Sequence, residues 1–174
     1  IERIEDEAFN QCAIEELRFP DSIKVESGSF YLCNSLQRVY IGLSQCEACF
    51  PTCGNLEYIS VNPNNQYVCS IDGNLYSKDK KTLIRHPPKA GNFKIPDCVV
   101  NLGDFCLQDY NGSEIMIPNS VISIGDYAFD YSTNISEIII PDSVKKIGKG
   151  IVRGCSNLKK IAINCDCEDL SYII

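Results

Sequence analysis

Cys46, Cys49 and Cys53 stand at a Cys-x2-Cys-x3-Cys spacing, the one stretch whose residue types suit a metal ion. A structural zinc site needs four thiolate or imidazole ligands in a tetrahedron, and no fourth ligand is spaced to complete it. Cys165-x-Cys167 offers only two sulfurs on one face of a strand end. His86 is the only imidazole, so a Ser-His-Asp or Cys-His site would have to be built on it. It lies at the base of a hairpin with no nucleophile at a recognisable spacing, and is expected as a solvated loop histidine. No Gly-rich phosphate loop is present, and the carboxylates are scattered over turns as a solvating surface. Asn111-Gly112-Ser113 and Asn134-Ile135-Ser136 match the N-glycosylation pattern, close to the number expected by chance. These residues point to no enzyme, no cofactor and no metal.

The bulk properties agree. A net charge of −7 argues against nucleic acid or an anionic membrane, which call for clustered Lys and Arg. No run approaches the roughly 18 apolar residues of a membrane span, so direct membrane insertion is not expected. The 174 residues suffice for one domain.

What would position any site is a repeat. Pro118-Asn119-Ser120-Val121-Ile122-Ser123-Ile124-Gly125 returns 23 residues later as Pro141-Asp142-Ser143-Val144-Lys145-Lys146-Ile147-Gly148. A period in the twenties marks a solenoid, in which each unit buries its apolar face against its neighbours. Phe9, Phe30, Phe50, Leu107, Phe129 and Val152 hold one position in six successive units, at spacings of 21, 20, 57, 22 and 23 residues. Three residues on come Cys12, Cys33, Cys53, Tyr110, Ser132 and Cys155, an interior ladder rich in small side chains. The repeat therefore accounts for Cys49 and Cys53 as core residues. An odd count of eleven cysteines favours free thiols and a reducing compartment, although neighbouring strands about 4.8 Å apart permit bridges, which span about 4.4–6.8 Å.

Each unit ends in an alternating strand: Leu36, Val39 and Ile41 inward, Arg38 and Tyr40 outward. A proline follows four of these strands, at Pro20, Pro96, Pro118 and Pro141, and having no N–H for a ladder it turns the chain. Val121-x-x-Ile124-Gly125 predicts a second short strand, and Asp126-Tyr127-Ala128-Phe129 a tight or 3₁₀-like turn. The long interval holds an insertion at about residues 62–95, in which Asp72-Gly73 is a hairpin turn pair. It is expected to project from the solenoid as a small meander.

The phrase Ile-Pro-x-Ser-Val-x-x-Ile-Gly-x-x-Ala-Phe, ending at Phe129, resembles the BspA-like branch of leucine-rich repeat proteins. The resemblance covers essentially the whole chain, with departures at Cys106-Leu107 and Ile151-Val152. It implies a right-handed β-rich solenoid of about six 20–23-residue repeats, with short 3₁₀ or turn segments and a β-hairpin insertion. It also implies a non-catalytic binding role, often in adhesion at the cell surface, and carries no catalytic residues.

One domain over 1–174 is expected, a segment of a longer array whose ends dock on further repeats or partners. The binding surface is expected on the outward strand residues, stacked on one sheet face: Arg38, Tyr40, Tyr58, Met116, Glu137, Ile139 and Lys160. The partner is another protein. Two roles stand side by side: a cell-surface or secreted adhesion protein, from the resemblance, and a cytoplasmic structural scaffold, from the thiol-rich interior.

Overall fold

The structure, a computed structural model, describes residues 2–26, 28–46 and 50–167, with backbone alone at Gln45. Short and longer strands alternate along the first half: β1 (Arg3–Ile4), β2 (Glu16–Phe19), β3 (Lys24–Val25), β4 (Arg38–Ile41), β5 (Gln45–Cys46) and β6 (Tyr58–Val61). A meander follows: β7 (Val68–Ile71), β8 (Asn74–Ser77) and β9 (Thr82–Arg85). Two short strands follow, β10 (Asn101–Leu102) and β11 (Ser123–Ile124), and the alternation resumes with β12 (Glu137–Ile140), β13 (Lys146–Ile147) and β14 (Lys160–Ile163).

On the long-strand side β2, β4 and β6 form one parallel sheet and β12 with β14 another. The register aligns like with like, Leu17 on Val39 on Ile59 and Ile138 on Ile161. On the short-strand side the two-residue strands stack in parallel as β1–β3–β5 and as β10–β11–β13, the latter continued by four-residue β9 beside β10. Strands β10, β11 and β13 are each followed by a glycine corner where successive coils almost touch. A Cβ on Gly148 would lie 2.5 Å from the Asp126 nitrogen and 2.6 Å from the carbonyl carbon of Gly125. That approach is why the template needs glycine after its isoleucine.

The third side is a turn of alternating hand, not a 3₁₀ helix. Left-handed residues come in pairs four apart: Phe105 with Asp109, Tyr127 with Tyr131, Gly150 with Gly154. The N–H groups of Tyr127, Phe129 and Tyr131 donate to the carbonyls of Lys149, Ile151 and Arg153 in the next coil. Those of Asp130 and Ser132 close local turns onto Tyr127 and Phe129. Every N–H from Tyr127 to Ser132, apart from that of Ala128, is thus assigned to a carbonyl, as a packed backbone requires. The 3₁₀ segment found among the described residues is Pro88–Ala90.

Inside, Phe30, Phe50, Leu107 and Phe129 are fully buried at the position the spacing marks. The ladder three residues on is polar as well as small. Cys33, Cys53, Ser132 and Cys155 donate to the carbonyls of Phe9, Phe30, Leu107 and Phe129, one coil back, at 3.1, 3.2, 2.9 and 3.1 Å. Phe9, at the same spaced position, is exposed, because the first described coil is covered on one side only.

The meander is built into the stack, where the sequence predicts a projection. Strand β9 pairs in parallel with β10, Leu83 beside Leu102, and so fills a short-strand place. The β7–β8 hairpin turns at Asp72-Gly73, as that pair predicts. Its tip closes the outer edge of β6: Ile59 N–H donates to the Gly73 carbonyl and Val61 N–H to the Ser70 hydroxyl, both at 3.0 Å. Alternate residues of β8 then face two different cores. Leu75 belongs to the cluster built from Phe19 to Val68, and Tyr76 to the one running on to Val152. A strand apolar on both faces is buried on both, so β8 forms a wall between two cores.

Candidate functional site

The outward residues fall on two patches, and the single face expected from regular stacking is broken. On the first patch the Arg18 guanidinium lies 3.9 Å over the Tyr40 ring, and Glu16 joins Arg18 and Arg38 at 2.8 and 3.3 Å. Those two hydrogen bonds, first from Arg18 and then from Arg38, hold the Glu16 carboxyl below its usual range. Tyr58 is exposed and lies along the Asp72–Gly73 turn, where a Cβ on Gly73 would meet its ring at 2.6 Å. The meander tip therefore ends this patch at Tyr58.

The second patch carries Met116, 77% exposed, and Ile139, 48% exposed, with Glu137 and Lys160 paired at 2.5 Å. Residues 114–117, expected as a strand, join no ladder among the described residues. The cause is Tyr110, which stands where other coils carry Cys or Ser. Its hydroxyl accepts from Phe93 N–H and donates to the Glu114 carbonyl, both at 3.1 Å, tying this segment back toward residue 93. A groove of ≈ 780 Å³ opens between residues 113–117 and β12, lined among others by Glu114, Met116, Glu137, Ile139 and Asp142. The structure thus brings Met116, Glu137, Ile139 and Lys160 together and keeps Arg38, Tyr40 and Tyr58 apart from them.

His86 is not solvated. It is 2% exposed, with Nδ1 2.6 Å from Asn74 Oδ1 and Nε2 3.2 Å from the Gly91 carbonyl. It stacks on Phe93 at 4.5 Å and meets Tyr110 edge-on. Burial drives its pKa down to about 4, so the ring is neutral at pH 7. Arg85 is buried beside it and gives Nη1 to the Phe105 carbonyl at 2.5 Å. Strand alternation from Leu83 puts Arg85 on the inner face, a signal in the sequence that the hairpin reading passed over.

Cys46 and Cys53 are buried, and Cys49 lies outside the described residues. Cys165 and Cys167 bring their sulfurs to 2.7 Å, and burial and then the Cys165 thiol push Cys167 up to about 11. Asn134 gives Nδ2 to the backbone and side-chain oxygens of Asn111, so the two glycosylation tripeptides meet in one asparagine ladder.

One further feature went unread in the sequence. On the turn side the Arg153 guanidinium lies 4.5 Å over Tyr127, and Tyr127 stacks on Phe105 at 5.1 Å. Arg153 also holds fully buried Asp130 through two 2.8 Å hydrogen bonds, which raise the arginine pKa. Asp130 accepts from Gln108 at 2.9 Å, and Gln108 from Thr52 N–H at 2.6 Å.

Parallel strands stacked coil on coil, with one large apolar residue per turn at a fixed interior position, define a leucine-rich-repeat solenoid. The chain belongs to the BspA type leucine rich repeat family, whose pattern matches residues 1–82 and 86–173 in six copies. A leucine-rich repeat protein from Eubacterium ventriosum matches with a TM-score of 0.89 and 25% identity, over 97% of this chain and 47% of that one. The pneumococcal vaccine antigen PcpA follows at 0.69 and 23%, over 94% of this chain and 54% of its own. A leucine rich cell surface protein from Faecalibacterium prausnitzii gives 0.58 and 16%, over 90% and 62%. The chain thus spans about half the length of the first two structures. No curated protein matches it significantly.

Proposed function

We propose that the chain is a non-catalytic protein-binding module, one solenoid domain, acting in adhesion at a cell surface. The observation that carries the binding role is the exposure of Tyr58, Met116 and Ile139 on the long-strand side. Large apolar groups held in water on a rigid frame are what protein interfaces are built from. The surface setting draws support from the family and from the likeness in fold to a bacterial cell surface protein.

The test is adhesion of beads coated with the protein to cultured cells, against albumin-coated beads. Coated beads should be retained. A Tyr40→Ala/Tyr58→Ala protein and a Met116→Ala/Ile139→Ala protein, both melting as the parent does, should each show whether its patch contributes. Retention no better than albumin would remove the adhesion role. The intracellular scaffold reading is favoured by one observation, the thiols of Cys33, Cys53 and Cys155 donating to backbone carbonyls. Labelling of intact source cells with an impermeant amine reagent decides between the two.

A further inference from the structure

We propose that the groove between residues 113–117 and β12 takes an extended segment of a partner protein. The segment adds as a strand to the open edge of β12, with alternate apolar and basic side chains. This rests on the protein-binding reading and goes beyond it in stating the backbone mode and the chemistry of the partner.

The first argument is an unused sheet edge. Among the described residues strand β12 has one ladder partner, β14. Lys160 N–H donates to the Ser136 carbonyl and Asn164 N–H to that of Ile140, so residues 136, 138 and 140 turn toward β14. In a parallel pair the intervening residues present their N–H and C=O to the other side. Those are Glu137 and Ile139, and both line the groove. Across it, Ile115 and Ile117 join no ladder among the described residues. Elsewhere the molecule closes such an edge: the meander tip and Ser70 do so for β6. Tyr110 holds the groove open by anchoring Glu114 toward Phe93. An open edge flanked by pockets for alternate side chains is the geometry of strand addition.

The second argument is the chemistry of the walls. Met116 and Ile139 offer exposed apolar contact. Glu114 and Asp142 line the same groove and enter no ion pair among the described residues, while Glu137 has Lys160. Two carboxylates outside any ion pair among the described residues, on a chain of net charge −7, favour a cationic partner. One side-chain parity of a strand would then meet the apolar floor and the other the carboxylates.

The experiment is fluorescence polarisation on the whole chain, with a labelled hexapeptide of alternating Lys and Val. Four probes accompany it: the Glu–Val peptide, a scrambled peptide of the same composition, and Lys–Val peptides N-methylated at alternate amides in either phase. Strand addition requires the Lys–Val peptide to bind, with affinity falling as salt rises. The Glu–Val peptide, and at least one N-methylated phase, should bind about tenfold weaker, as expected for one or two lost interactions. Ile139→Pro removes the N–H that faces the groove and no bond to β14, and should cost a similar factor. Tyr67→Ala, an exposed side chain on the meander far from the groove, should change nothing.

Equal binding of both N-methylated phases would show side-chain docking without a ladder and overturn the proposal. So would absence of Lys–Val binding, or equal binding of the Glu–Val peptide. The peptide probes need no altered protein, so misfolding of Ile139→Pro leaves the outcome readable. None of these results bears on bead adhesion, whose failure removes the adhesion role and leaves the peptide-binding result standing.

Discussion

The thiols three residues after Phe30 and Phe50 fill a small space and supply a donor to the coil before. For Cys53 the hydrogen bond with the Cys33 thiol, and then burial, raise the pKa and keep it protonated. Reactivity follows the thiolate and its exposure. Iodoacetamide on the native protein should therefore label exposed Cys98 and spare Cys33 and Cys53 until denaturant is added. Labelling of all three at one rate would mean that the stack opens freely. His86 makes a second test. Its folded pKa of about 4 lies below the ordinary 6.5, so its contribution is fully present above pH 6.5 and is lost as pH falls through 4. Linkage puts the loss between pH 7 and pH 5 at about 2 kcal/mol. Urea melts at the two pH values should show that difference, and His86→Gln should show less of it. The positions of Phe30, Phe50 and Phe129 were legible because hydrophobic spacing alone sets them. The burial of His86 was not, because it depends on Phe93 and Tyr110 arriving from later coils.

Corners, turns and the meander are where single elements decide. At the corner, Gly148→Ala sets a Cβ against the backbone of Gly125 and Asp126, which cannot step aside as a side chain can. A loss of about 2 kcal/mol or more in denaturant melts is expected, and an unchanged midpoint would show that the coils can separate there. On the turn side, Arg153→Ala leaves Asp130 buried with Gln108 as its remaining side-chain partner. It should cost about 1–3 kcal/mol, held down by the exposure of the arginine. The Ile-Gly pair was visible as part of the repeat, but its reason lies in the next coil and no single repeat contains it. Asp72-Gly73 likewise announced a hairpin without saying where it would sit. Its place follows from Leu75 and Tyr76 both being buried on opposite faces of β8, a fact of the assembled stack.

At the scale of the molecule, two cores meet at β8. In a linear stack each coil is stabilised by its neighbours, so protection falls toward the ends. Amide exchange should be slowest around β4–β6 and β10–β12 and faster at β1, β2 and β14, with β8 as the boundary of two cooperative units. Uniform exchange along the chain would contradict the partition. The solenoid and the alternation of its long strands were readable from one period, and the family from the phrase ending at Phe129. The division of the face was not, since it turns on a tyrosine replacing a small residue at position 110.

The wall at β8 also has a mechanical meaning. Pulled from its two ends, a parallel stack peels coil by coil, because each long strand is held by one neighbour at a time. At the meander the load meets antiparallel pairs, Val68 with Ser77 and Cys69 with Tyr76, whose bonds are sheared together. The force on a tethered molecule should therefore rise at that point, so that one half of the solenoid stays wound while the other is drawn out.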